Sequence, residues 1–259
     1  MDPLTLIGTL GGVLLVLVGG IMEGAQPGAL IGIPAFMIVV IPSVLVSLAG
    51  FTKHDVGAIV GGLKQAFTGK VESAAGSIAV VVEFAEKARK EGLLALEEGA
   101  KTIDDPFLKK GIMLAVDGTD PEELREILEA EVASKKANSK VPAKFFQDMG
   151  GFSPTLGIVG AVMGLMHVLG NLSDPTTAGE GIAGAFIATF YGVLFANAIY
   201  IPLSNKLKRI AESETQHMEL VLEGILSIQA GSNPRVIEQK LLSFLPDKER
   251  QALEAERAA

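Results

Sequence analysis

Cysteine is absent from all 259 residues, so disulfides, thiolate metal sites and a cysteine nucleophile are excluded. Histidine occurs three times, as His54, His167 and His217, too far apart to carry ligand spacing, and no HExxH is present. The glycine-rich phosphate loops are missing as well. GKV at 69–71 fails as a P-loop, because Lys64 stands where the first glycine belongs and Val71 replaces the magnesium-binding hydroxyl. Nucleotide hydrolysis and metal catalysis have no support, and the chain reads as a protein without cofactor or metal and without enzymatic activity. The net charge of −8 argues against nucleic acid as a partner.

What the chain has in quantity is apolar sequence. Hydrophobic residues make up 49% and the mean hydropathy is +0.41, although 20% of residues are charged. That combination requires segregation into membrane and aqueous parts. Residues 4–21 and 28–50 form two apolar runs, and 152–203 form a hairpin of two more about a polar connector, NLSDPTTAGE. Runs of about 20 residues suffice to cross the hydrocarbon core as helices. The first run has no basic n-region and is too long for a signal h-region, so it reads as a retained anchor. Pro34 and Pro42 are expected to kink the second.

Orientation follows from the 22 lysines and arginines, all of which lie in 51–151 or 204–259. Neither short connector holds one, so both polar segments are placed in the cytoplasm and both termini inside. The fold class is an all-α polytopic membrane protein. Four transmembrane helices (1–50 and 152–203) accompany a helical cytoplasmic domain (51–151) and cytoplasmic C-terminal helices (204–259). Within the loop, 56–68 and 71–90 have helical periodicity. Asp105-Pro106 and Asp120-Pro121 are helix starts; the second carries Glu123 in a capping box and predicts a helix from 121 to about 136. Asn233-Pro234 starts another. VPAKFFQDM at 141–149 fits either a membrane-surface segment or an ordinary packed turn.

The hairpin carries small residues at helix-contact spacing: Gly157, Gly160 and Gly164 in the third span, and Gly181, Ala185, Ala188, Gly192 and Ala196 in the fourth. Such faces let backbones approach closely in lipid, though Gly and Ala are common in spans generally. Ionisable groups in the spans are nearly absent. His167 near the outer end of the third is either a proton relay or a helix-end histidine reaching an interfacial partner, and Glu180 opens the fourth. The polar groups at depth are Thr155, Thr189, Tyr191 and Asn197; hydroxyls there either line a path or bond the preceding turn. With no deep carboxylate, an ion-conducting role requires a partner to supply one.

The stretches ARKEGLLALE (88–97), DPFLKKGIMLAVDGTDPEELREILE (105–129), SPTLGIVGAVMGLMHVLGNL (153–172) and GIAGAFIATFYGVLFANAIYIPLSNKLK (181–208) resemble the MotA/TolQ/ExbB proton-channel family, in particular its flagellar-motor stator subunits. The resemblance covers nearly the whole chain. It implies a homopentamer around two copies of a MotB-like, single-span, peptidoglycan-binding subunit whose helix carries an essential aspartate. It also implies an inner-membrane location in contact with lipid, and a rotor partner of the FliG type. Pro154 and Pro202 match the family's coupling prolines, and Arg89 and Glu97 its rotor-facing charges. Thr155, Ala161 and Thr189 fall on the ion pathway. Ala161 stands where sodium-driven relatives carry a hydroxyl, so the implied ion is the proton. Taken alone, each proline is equally readable as helix punctuation, with Ser153 capping and Pro154 at N1 of the third span. An ExbB/TolQ-type energiser of an outer-membrane system and a purely structural membrane scaffold are the competing readings.

Overall fold

The computed structural model describes residues 3–68, 74–247, 249–251 and 253. Among them there is no strand; the fold is all-helical, as the sequence indicates. Three helices are long and apolar enough to cross a membrane. They are α1 (Pro3–Met22), α7 (Pro121–Gly170) and α8 (Pro175–Gln229). The shorter apolar helix α2 (Ile33–Leu48) stands between α1 and α3 (Lys53–Thr68). The remaining helices are α4 (Ala74–Glu91), α5 (Leu96–Ala100), α6 (Pro106–Val116) and α9 (Pro234–Leu242).

The chain separates into two units, Met1–Lys70 with Asn138–Ile210, and Val71–Ala137 with Ala211–Ala259. The first holds the spans. Its apolar side chains face outward, and Leu10, Leu15, Met166, Leu169 and Phe186 are all exposed. A segment that folds in water buries such residues; lipid permits them outside. A cluster of Ile59, Ala143, Phe145, Phe146, Met149, Tyr200, Leu203 and Leu207 anchors this unit below the spans. Phe145 and Phe146 are therefore core residues on a helix, which decides the open reading of 141–149 against a surface segment. Gly62 makes the crossing possible, since any side chain there would overlap the Pro142 ring.

The second unit has a conventional water-excluding core. Ile78, Val81, Leu96, Leu108, Ile112, Leu124, Leu128, Leu220, Ile225, Ile237 and Leu241 are each at most 2% exposed. Burial of side chains this size stabilises by about 1.5–3 kcal/mol apiece before chain entropy is counted. Gly111 admits the tip of Ile225 between α6 and its neighbours.

Three expectations need correction. The helix beginning at Pro121 does not stop near 136; it continues without a break to Gly170. Its start is capped as anticipated, with Asp120 Oδ1 accepting from the Glu122 amide at 2.9 Å. No stop signal follows, because Pro142 and Pro154 are both carried inside the helix. Pro154 is thus not at N1, and Ser153 is not a cap. Ser153 is fully buried, and its Oγ has no hydrogen-bond partner. The second span, expected over 28–50, is helical only from Ile33 to Leu48, about 24 Å at 1.5 Å per residue. Pro34 sits in the first turn of α2 and begins it rather than kinking it. Finally, α8 begins at Pro175, six residues before the apolar run, because Asp174 caps it by accepting from the Thr176 amide at 3.0 Å.

The helix starts at Asp105 and Asn233 are as read. The 71–90 helix is described from Ala74; residues 71–73 lie outside the described residues. Asp105 does more than cap. Its Oδ1 accepts from the Phe107 and Leu108 amides at 2.8 and 3.2 Å, and its Oδ2 meets His217 Nε2 on α8 at 3.1 Å. Burial raises the carboxyl's pKa, but the His217 and amide hydrogen bonds outweigh it, so the value lies below the usual carboxylate range. A depressed carboxylate supplies stability above its unfolded value of about 4, lost as pH falls through the lower folded value. Asp105→Ala should therefore cost about 1–2 kcal/mol at neutral pH, seen as a lower thermal midpoint of the purified protein. The gap to wild type should close as the pH falls through the folded carboxyl's value. Equal midpoints at pH 7 would contradict the assignment.

Candidate functional site in the membrane hairpin

The third and fourth spans meet backbone to backbone. A Cβ on Gly192 would lie 2.7 Å from the Ser153 carbonyl oxygen and 3.1 Å from the Pro154 Cα. On Gly157 it would lie 2.9 Å from the Ala188 oxygen and 3.2 Å from the Thr189 Cα. The seam continues outward, with Gly160 under Ala188 and Gly164 against Gly181 and Ala185. Lipid supplies no hydrophobic force between helices, so this close approach is what holds the pair. Gly157, Gly160 and Gly164 on one helix and Gly181, Ala185, Ala188 and Gly192 on the other are spent on each other within one chain.

The seam fixes the polar groups. Thr189 lies against Gly157, half-buried, and its Oγ1 donates to the Ala185 carbonyl at 3.2 Å. Thr155 is exposed and donates to the Phe152 carbonyl at 2.7 Å. Asn197 likewise turns its amide back to the Val193 carbonyl at 2.9 Å. Each donor is satisfied by its own helix, which leaves the hydroxyl oxygens' second lone pairs for an incoming water or ion. Ala161, one turn from Gly157, is half-buried and brings no oxygen. The register thus sets Thr189 level with the Gly157 end of the seam. Thr155 stands on the Pro154 side of that level and Ala161 on the side toward Gly170.

The two prolines bracket the end of the seam at Gly192. Pro154 touches the Gly192 position directly. Pro202 follows a π-turn, Ala196–Tyr200, closed by the Ile201 amide on the Ala196 carbonyl. A proline removes one helical hydrogen bond, and the wider turn just before it absorbs the mismatch. A second π-turn, Ile7–Gly11 on α1, packs against this one. Between them opens a groove of about 440 Å³ bordered by Gly8, Gly12, Phe190, Asn197 and Pro202. Helical distortions thus cluster around Pro202, at the level where the span leaves the membrane.

One residue escaped the sequence reading as a structural element. Tyr191 on α8 donates from its hydroxyl to the Leu30 carbonyl at 2.8 Å and accepts from the Gly32 amide at 3.2 Å. Residues 31 and 32 are extended, between the 3₁₀ turn Pro27–Leu30 and α2. Unpaired backbone is costly at membrane depth, so Tyr191 substitutes for the missing helical partners. The signal was the Gly28, Gly32, Pro34 spacing, which marks a non-helical entry.

Arg89 and Glu97 belong to the other unit. Arg89 is exposed in the last turn of α4, and Glu97 is exposed in the first turn of α5. Gly92, at φ 87°, turns the chain between them. Glu97 meets Lys101 at 3.2 Å with both side chains more than half exposed, an arrangement of small energetic weight.

With this geometry in hand the chain can be set beside known proteins. Residues 99–220 match the MotA/TolQ/ExbB proton channel family. The chain is 35% identical over 251 residues to Motility protein A of Bacillus subtilis, covering 96% of this chain and 93% of that one. The chain belongs to this proton channel family. It is also 35% identical to the Chemotaxis protein PomA of Vibrio alginolyticus, over 96% of this chain and 98% of the other. Its fold is that of the C. jejuni MotAB structure, with TM-score 0.91 and 36% identity over 95% of this chain and 97% of that chain.

The seam makes a sharp prediction. Gly192→Ala places a methyl against backbone that has nowhere to move, so overpacking should cost about 1–3 kcal/mol and lower the yield of folded protein. Gly151→Ala, on the partner helix α7 with open space around it, should be neutral or slightly stabilising. Equal yields and melting temperatures for the two variants would contradict a backbone-contact seam.

Proposed function

We propose that this chain is the membrane subunit of a flagellar-motor stator, a channel component rather than an enzyme, which turns proton-motive force into torque on the rotor. The observation that carries the reading is the Gly157–Gly192 seam, which sets Thr189 and the Pro154/Pro202 pair on one hairpin with no carboxylate at depth. It is supported by full-length likeness to proteins named for motility and by the fold of a MotAB complex. On this reading the partner is a MotB-like single-span, peptidoglycan-anchored subunit, with five copies of this chain around two of it. The complex sits in the bacterial inner membrane, in contact with lipid, with both termini cytoplasmic.

The mechanism follows from the residues. A proton reaches the partner's carboxylate beside Thr189 and neutralises it, removing the cost of a charge in a low-dielectric gap. The Thr189 hydroxyl has a lone pair to offer, and Ala161 supplies none, so a dehydrated metal cation finds too few oxygens here. Neutralisation changes what the hairpin wall holds, and the seam is too close-packed to deform gradually. Movement is therefore passed to the two prolines, where the helices already depart from regular geometry. Arg89 and Glu97, on their exposed turn, present opposite charges to a rotor protein of the FliG type. The driving force is about 2.3 kcal/mol per charge per 100 mV, plus any pH gradient.

Two experiments test this. Motor speed should follow the proton-motive force and be unchanged when sodium is replaced at constant pH and ionic strength. Rotation that stops without sodium and returns with it would assign sodium instead and bring Thr155 forward as a ligand. Separately, Arg89→Glu and Glu97→Lys should each impair swimming while the complex still assembles, because exposed charges contribute only about 0–1 kcal/mol to folding. A reversed charge on the rotor should partly restore the matching mutant. Wild-type swimming by the double mutant would remove the rotor-facing role.

A further inference from the structure

A second opening in the span-containing unit lies on the outer side of the hairpin, between α2, α7 and α8. It is a cleft of about 590 Å³, with Ile31, Ala35, Ile38 and Met163 among its walls. Its floor is the seam itself at Gly160 and Ala188, next in sequence to Thr189. Only His167 and Glu180 bring ionisable side chains to it. His167 packs over the start of the apolar part of α8, its Cδ2 3.5 Å from where a Gly181 Cβ would be.

Two observations indicate that this cleft holds water. The non-helical Gly28, Ile31 and Gly32 border it. Irregular backbone at membrane depth is tolerated where it is buried in protein or faces a water-filled cavity. In that segment Tyr191 pairs the Leu30 carbonyl and the Gly32 amide, while the Ile31 amide donates to the Gly28 carbonyl and the Gly32 carbonyl accepts from the Phe36 amide. The second observation is the ionisable pair, since such groups at a span's edge are retained where water or an ion reaches them. The surroundings also favour a cation. The charged groups near the outer ends of the spans, Glu23, Asp174 and Glu180, are all acidic, and neither short connector holds a lysine or arginine.

We propose that His167, on the wall of the same cleft as Glu180, is the proton-accepting group of an outward-opening aqueous cleft that delivers protons toward Thr189; the inference rests on the channel reading above. An imidazole can accept a proton on one nitrogen and release one from the other, and the other ionisable side chain lining the cleft is a carboxylate. A hydronium gives its proton to an imidazole nitrogen and is left as water. The imidazolium returns that proton to a water on the cleft floor and regains its neutral form. No group is consumed and no charge is left behind. Of the elements that line the cleft, α8 contributes the one further titratable group, Glu180, while α2 and its entry contribute none among the described residues.

The test uses the whole stator complex with its partner, in proteoliposomes or in tethered cells. Potential and internal pH are clamped while external pH runs from 8 to 5, and flux is normalised to assembled complex. His167→Gln should lower flux roughly tenfold at pH 8, the low end of what local charge focusing adds to an encounter rate. The deficit should shrink toward pH 5, where hydronium is plentiful. Glu180→Gln should show the same trend with a smaller deficit, and His167→Asp, which keeps a proton-exchanging group, should recover part of the loss. A wild-type profile in both His167→Gln and Glu180→Gln, or a deficit of equal size at every pH, would overturn the proposal. If His167→Gln assembles poorly, the surface change Glu180→Gln decides alone. Failure of the channel reading itself looks different, because the wild-type complex would then carry no protons at any pH.

Discussion

Everything in the span-containing unit depends on how close two backbones come. At Gly157 and Gly192 the third and fourth spans touch without side chains between them, and a single methyl at Gly192 would sit 2.7 Å from a carbonyl oxygen. In water such a contact would be a minor detail of packing. In lipid, where apolar side chains gain nothing by leaving the tails, it is the main source of helix–helix attraction. It also fixes the register of the hairpin, and with it the level of Thr189 relative to Pro154. A one-residue change of register would carry Thr189 around the helix and away from the wall it shares with Gly157.

The same closeness explains where flexibility resides. A seam with no side chains to rearrange is rigid, so departures from regular helix collect at its ends. One end has Pro154 inside α7, Pro202 after a π-turn, and a second π-turn on α1 packed against it. The other has the extended entry to α2, held by the Tyr191 hydroxyl. A wall that is stiff at mid-depth and irregular at both ends is suited to passing a local charge change to the parts of the chain that leave the membrane.

Much of this was legible in the residues, and the reasons differ by feature. Long apolar runs and the placement of lysine and arginine reflect bulk transfer energies, which need no tertiary context. The small-residue faces were visible as spacing, though not their choice of partner, because 157, 160 and 164 fit a neighbouring molecule as well as the adjoining span. Helix starts at Asp105, Asp120 and Asn233 were readable because a cap is a local hydrogen bond. The helix stop was not, since a proline breaks a helix only where nothing supports it, and Pro142 and Pro154 are supported by packing. Tyr191 stayed hidden because its hydroxyl reaches across 161 residues to an unwound carbonyl. Whether Arg89 and Glu97 meet another protein is invisible to local physics, since an exposed charge looks alike whether it faces water or a partner.

The central claim is that this chain is one wall of a proton path whose titrating carboxylate belongs to another protein. The most direct measurement is proton uptake into liposomes containing the purified chain alone, or the chain with its single-span partner, under an imposed membrane potential in sodium-free buffer. The account predicts no uptake above empty liposomes for the chain alone, and potential-driven uptake with the partner that disappears when its membrane aspartate becomes asparagine. Sustained proton flux through the chain by itself, or flux that survives the partner's aspartate change, would contradict it.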